Sequence, residues 1–208
     1  GKEIAIKAVP DTHREVRIFT INETDSDINS LLDGASYTIN EKTDIYIKFN
    51  IVEYSVLINI LVDDVLDTEA PAIYSLYDLD GNKASNLSKE NGVLSGSVGY
   101  GEYYIYSGTV NTNVKINITE TDNEFDLLYY TVNLDIEPVN VLDYVTINGL
   151  EYTEDTVVKQ IVVLKDEVVD VNAFASNDTE IYEFKVNGTD NELSFPKSIK
   201  VSTKTDLY

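Results

Sequence analysis

Apolar and polar residues alternate along most of this chain, and nowhere do apolar residues recur at the three-and-four spacing of a long amphipathic helix. Short alternating runs occupy EVRIFTIN (15–22), ASYTIN (35–40), TDIYIKFNIVEYSVLINILV (43–62), PAIYSLY (71–77), GVLSGSV (92–98), EYYIYSG (102–108), NVKINIT (113–119) and EFDLLYYTVNLDI (124–136). After EPVN (137–140) come VLDYVTI (141–147), TVVKQIVVL (156–164), EVVDVNAFA (167–175), EIYEFKVNG (180–188) and SFPKSIKVSTK (194–204). Short strands at such spacing, separated by turn residues, predict an all-β chain folded as an antiparallel sandwich of immunoglobulin-like type. Asp80-Gly81, Asn91-Gly92, Asn148-Gly149 and Asn187-Gly188 are expected at hairpin tips, where both central residues need positive φ.

The run 43–62 is long enough to raise the question of a membrane span. Lys48 and Glu53 lie inside it, each costing a few kcal/mol in a bilayer, so it reads as one bent strand or two strands turning near 53–55. The segment EPVN marks a boundary, giving an N-terminal tail (1–10), a sandwich region (11–138) and a second, shorter sandwich region (139–208) that forms a separate lobe or packs into one head. The last piece has fewer strands than a complete sandwich needs, and a missing strand leaves an open apolar groove.

The opening GKEIAIKAVP is a short strand of its own. Ile4, Ile6 and Ala8 share one face, and Pro10, which cannot donate a ladder bond, ends the strand as a hinge. Such a segment either pairs in its own sheet or adds as a strand to a neighbouring copy. Burying two isoleucines gives about 1.5–3 kcal/mol each, enough to make a joint of that kind slow to release.

Composition supports the β reading: Tyr 15 and Phe 6 accompany many Ile and Val, while Trp, Met and Cys are all absent. Without cysteine there is no disulfide, thiolate metal site or cysteine nucleophile. A start at glycine fits a chain processed by signal-peptide removal. The formal net charge of -22 excludes a nucleic-acid or anionic-membrane partner. The charge is uneven. Lys2, Lys7, Arg14 and Arg17 outnumber Glu3, Asp11 and Glu15 in the first seventeen residues, so this stretch is complementary to the acidic body of another copy.

Candidate chemistry is sparse. DLDGNKASNLSKE (78–90) has Gly81 fourth and Glu90 thirteenth, which fits a hairpin rather than a calcium loop. GYGEYYIYSG (99–108) lacks the lysine and helix of a phosphate cradle; its Tyr100, Tyr103, Tyr104 and Tyr106 suit an aromatic ladder, or stacking on a sugar. His13 is the only histidine, and no pair among the acidic residues is marked for catalysis. The expectation is therefore no enzyme, no catalytic residue, no metal and no cofactor. Sequons at Asn22, Asn86, Asn117, Asn177 and Asn187 make these asparagines expected N-linked glycan sites in an exported protein. Lys48, Lys115, Lys159 and Lys185 lie within apolar strands, the placement an intramolecular Lys–Asn isopeptide staple would use, although solvent-facing lysines would look the same.

Taken together, an all-β, cysteine-free, Tyr/Asn/Ile/Val-rich chain with several sequons and a separable first strand resembles the glycosylated thread filament subunits of crenarchaea. More broadly it is similar to donor-strand-complemented pilins. The resemblance rests on composition and layout over the whole chain. It implies an extracellular surface filament of identical subunits polymerised head to tail, with Ile4, Ile6 and Ala8 inserted into the next copy, N-linked glycans, and a role in adhesion, cell contact or biofilm. The alternatives are an adhesin or carbohydrate-binding module, and an S-layer or viral coat subunit.

Overall fold

The structure is a computed structural model and describes all residues except Pro71, Ala72, Val139, Glu154, Val157 and Val158. Those six include the start of the expected strand 71–77, one residue of the expected boundary 137–140, and two residues of the run 156–164. The chain is an all-β sandwich protein organised around three apolar cores.

The first core lies under β1 (Lys2–Ile6), β2 (Arg14–Ile21), β3 (Thr24–Asp25), helix α1 (Ile28–Asp33), β4 (Ala35–Ile39) and β5 (Ile45–Ile51). β1 pairs antiparallel with β4 as a two-stranded sheet, and β3, β2 and β5 form a second sheet in that order. Ala8, Val16, Phe19 and Leu31 are buried between them. The short helix forms because Asp27 caps it, its carboxylate accepting from the amides of Asn29 and Ser30 at 3.2 and 3.1 Å, and because Gly34 takes φ 94° at its end. The Ser30 hydroxyl, which donates to the same carboxylate at 2.6 Å, holds the Asp27 carboxyl below its ordinary pKa together with these amides.

The second core is built by β6 (Glu53–Val62), β7 (Val65–Leu66), β8 (Tyr74–Tyr77), β9 (Lys83–Glu90), β10 (Val93–Gly99), β11 (Gly101–Ser107) and β12 (Val110–Ile118) with the first half of β13 (Glu124–Leu134). β9 pairs with β8 through residues 83–87 and with β10 through 88–90, so the hydrogen-bonded path folds over and closes the sandwich. The alternation does the rest. In β6, Val56, Ile58 and Ile60 point into the core while Ser55, Leu57 and Asn59 point away.

The second half of β13 serves the third core, with β14 (Tyr144–Ile147), β15 (Leu150–Tyr152), β16 (Gln160–Leu164), β17 (Val168–Phe174), β18 (Lys185–Val186), β19 (Thr189–Asp190), β20 (Lys197–Lys200) and β21 (Thr205–Leu207). A sheet ordered β15-β14-β17-β20 faces β16, β21 and β18 around β13. The expected division at 138 does not coincide with the cores: the change from second to third core falls inside β13, between Tyr129 and Tyr130, because that strand runs unbroken through both. The long run 43–62 divides at Val52 into β5 and β6, which belong to different sheets. Residues 1–10 do not stand apart as a tail either, since Lys2–Ile6 pair with β4 and Ala8 enters the first core.

β13 pairs parallel with β6 (Glu124 opposite Leu57 through Tyr129 opposite Val62) and parallel with β21. The first unit therefore joins at the start of β6, and the third core begins where β13 runs past the end of β6. The two lie at opposite ends of that strand pair.

Among the described residues, no helix is long and apolar enough to cross a membrane.

Candidate functional site

The third core is open at the end farthest from β6. A groove of about 530 Å³ lies there, between the segment after β13, the start of β14, the end of β17 and residues 180–184. Tyr144 and Phe174 face each other across β14 and β17 and stack at 4.5 Å with their planes 16° apart. Phe184 meets Phe195 edge-on at 5.1 Å on the opposite wall. Tyr182 stands at the lip, 87% exposed, and Tyr208 closes the floor. Residues 180–184 pass along the groove before β18 begins at Lys185, outside any sheet, and Ile136, Val145 and Phe174 at the rim of the core stay partly exposed there.

Carboxylates ring this apolar surface: Asp135 and Glu137 from the segment after β13, Asp143 before β14, and Glu180 and Glu183 from the outer segment. No lysine or arginine is among the described lining residues. Asp143 is anchored by the Ser176 amide at 2.8 Å and the Thr179 hydroxyl at 2.7 Å, and these hydrogen bonds hold its carboxyl below the ordinary aspartate range. The Tyr208 hydroxyl donates to Glu137 at 2.8 Å, which with burial raises the phenol pKa. The groove is thus shaped for an extended segment with apolar side chains and a positive charge beside them.

The residues singled out in the sequence lie elsewhere. Ile4 and Ile6 are half-buried, opposite Tyr37 and Ala35 of β4, and Ala8 is buried, its amide donating to the Leu31 carbonyl at 3.1 Å. Pro10 is half-buried between β1 and β2. Among the described residues β1 has one hydrogen-bonded neighbour, and that neighbour has no other. Asn22, Asn86, Asn117, Asn177 and Asn187 are all exposed; Asn22 and Asn187 sit at positive φ in two-residue turns, where their side chains also cap the amides of Asp44 and Asp206.

His13 packs at the joint between the first and second units. Its ring stacks on Tyr100 at 3.9 Å, and Nδ1 lies 3.0 Å from the Tyr54 hydroxyl. Tyr103 is buried and donates to the Gly99 carbonyl at 3.0 Å, while Tyr106 stacks on Tyr77 at 4.1 Å, so these tyrosines serve the sheet more than its surroundings. Lys115 and Lys185 pair with Glu102 and Glu183, at 3.0 and 2.5 Å. The loop at Asp78 is closed by its own carboxylate, which accepts from the amides of Asp80 and Asn82. Among the described residues, no group of three or more His, Asp or Glu side chains is placed to hold a metal ion.

The short strand count of the last piece already implied an open apolar groove, but not which residues line it. Its outer wall, EIYEFKVNG, reads as an ordinary alternating strand. The one signal that could have marked it is the interleaving of Glu180 and Glu183 with Tyr182 and Phe184, which leaves neither face of the segment purely apolar.

No protein-family model matches the chain, and no curated protein does. Among solved structures, the Bacillus anthracis TIE protein superposes on 98% of this chain and 48% of its own, at 12% identity and a TM-score of 0.32. The chain thus spans about half the length of that protein, and so loose a superposition says nothing of fold or function.

Proposed function

We propose that the chain is a structural subunit of an extracellular filament, joined head to tail by its first strand, with no bond made or broken. The observation that carries this reading is the complementarity of its two ends. At one end β4 is the one strand that pairs with β1 among the described residues, and two-stranded sheets are marginal on their own. Its Ile4 and Ile6 are only half-buried there, and Lys2 and Lys7 flank them. At the other end is an apolar groove ringed by five carboxylates. Moving KEIAIK from β4 of its own chain into the groove of the next would bury both isoleucines more fully and set the lysines among Asp135, Glu137 and Glu180. The five exposed sequon asparagines fit a glycosylated surface role.

The test uses a labelled peptide, GKEIAIKA, titrated into the full chain. The expected result is saturable binding that weakens with salt and is lost in Tyr182→Ala and Glu180→Lys variants, with filaments of the full chain visible by electron microscopy. Binding no tighter than that of a scrambled peptide would overturn the joint. A second reading, an adhesive binding module, is favoured by the exposed Tyr182 beside the Tyr144–Phe174 stack, since aromatic lips suit sugar rings. It predicts saturable glycan binding by a monomer, sensitive to the same Tyr182→Ala change.

A further inference from the structure

An exposed apolar edge lies in neither end-groove nor donor strand, but along β5. Among the described residues β5 has one hydrogen-bonded neighbour, β2, and its other edge carries no strand. On the face of β5 that carries Ile47 into the first core, Ile45, Phe49 and Ile51 nevertheless remain 38%, 39% and 56% exposed. Tyr46 on the opposite face is 55% exposed. A seven-residue edge with apolar side chains on both faces is what soluble proteins ordinarily avoid unless something pairs with it.

We infer that β5 pairs antiparallel with β5 of a second copy, about a two-fold axis through Ile47. This goes beyond the head-to-tail joint and does not depend on it. The residues of the strand are complementary to themselves in that register. Ile47 meets Ile47, and Ile45 meets Phe49 twice, making one continuous apolar face that extends the first core of both copies. On the other face Tyr46 meets Lys48 twice, a cation over a phenol ring, and Asp44 meets Asn50. Each Lys48 then has the partner's Asp44 on one diagonal and the partner's Lys48 on the other. Neighbouring registers are poorer. A shift of one pair puts Lys48 directly against Lys48 in one direction; in the other it gains Asp44 against Lys48 twice but breaks the apolar face, leaving Phe49 against Thr43 and Ile51 against Glu41. Any odd shift would bring the core face of one copy against the outer face of the other. The joined sheet would run β3-β2-β5 into β5-β2-β3 of the partner. The contact is small for a permanent dimer, so association is weak and concentration-dependent.

The chain has no cysteine, which permits a register-specific test. Tyr46→Cys and Lys48→Cys variants of the full chain, both at exposed positions, are oxidised separately and as a mixture. Directly opposite residues lie about 4.5–5.5 Å apart at Cα, within disulfide reach. The proposed register predicts a covalent dimer in the mixture and little in either variant alone. Dimer from Tyr46→Cys alone, from Lys48→Cys alone, or from none of the three samples overturns it. A head-to-tail joint does not bring residues 46 and 48 of two copies opposite each other, so it cannot mimic the pattern. Sedimentation of the full chain supplies a second reading: Tyr46→Lys sets lysine against lysine at two symmetric positions and is expected to weaken the dimer about tenfold. A chain that stays monomeric up to roughly 1 mM, with or without the substitution, also overturns the inference.

Discussion

The first unit and the middle sandwich use the same alternating pattern and arrive at different degrees of closure. In the middle, thirteen buried residues from seven strands form one core; in the first unit four buried residues do the same work, under sheets of two and three strands. The difference lies in coverage. β9 crosses between the two layers of the middle sandwich and closes it, whereas among the described residues no strand pairs with the outer edge of β5 or of β1. Alternation makes strands; only the number and connection of strands makes a sealed core.

The largest expected effect tests that contrast directly. Ile58→Ala removes a fully buried side chain from the closed core and should cost about 2–5 kcal/mol, lowering the main thermal transition. Phe19→Ala, a larger side-chain loss, should instead melt the first unit locally, removing hydrogen-exchange protection from β2 and β5 while β6 to β12 keep theirs. If the two substitutions lowered one shared transition equally, the units would be a single cooperative body.

A smaller effect is expected at Tyr103, whose hydroxyl bonds the Gly99 carbonyl beside the joint: Tyr103→Phe should cost about 0.5–1.5 kcal/mol, read as a shift in urea midpoint without a change in slope.

The smallest effect concerns pH. Asp143, its pKa lowered by the Ser176 and Thr179 hydrogen bonds, favours the ordered 176–179 turn as a carboxylate. That support is complete above the unfolded aspartate value of about 3.9 and is lost as pH falls through the lower folded value. Exchange of the Ser176 amide should therefore quicken, relative to amides of β6, only in that acid window. Asp143→Asn should remove the dependence.

Much of this fold could be read in the chain, and the failures have particular causes. The strand alternation and three of the four expected glycine turns appear as anticipated, with Asn91, Asn148 and Asn187 all at positive φ. At Asp80-Gly81 only the glycine is at positive φ, because the Asp78 carboxylate holds a wider loop. Two turns of the same tight type escaped notice at Asn22–Glu23 and Asp63–Asp64, which contain no glycine; asparagine and aspartate tolerate the left-handed region well enough to replace it. Helix α1 was missed because six residues are too few to show a helical period, although Asp27 and Gly34 bracket it with the expected caps. An open groove in the last piece was foreshadowed by its missing strand, but its lining was hidden for a different reason. Whether EIYEFKVNG enters a sheet or runs outside one depends on which strands are already paired, a property of the assembled sheet rather than of the segment.

The passage of β13 from one core into the next has a mechanical meaning. Its parallel partners β6 and β21 follow one another along the same edge, opposite β16, with β6 on the first half of the strand and β21 on its last residues, so the first unit and the third core lie at opposite ends of β13. Tension applied between those ends therefore loads the β6–β13 hydrogen bonds in shear, all at once, rather than opening them singly like a zipper. A subunit built this way transmits pull along its length through its best-packed region, and the parts that yield first are the loosely closed first unit and whatever joins one copy to the next.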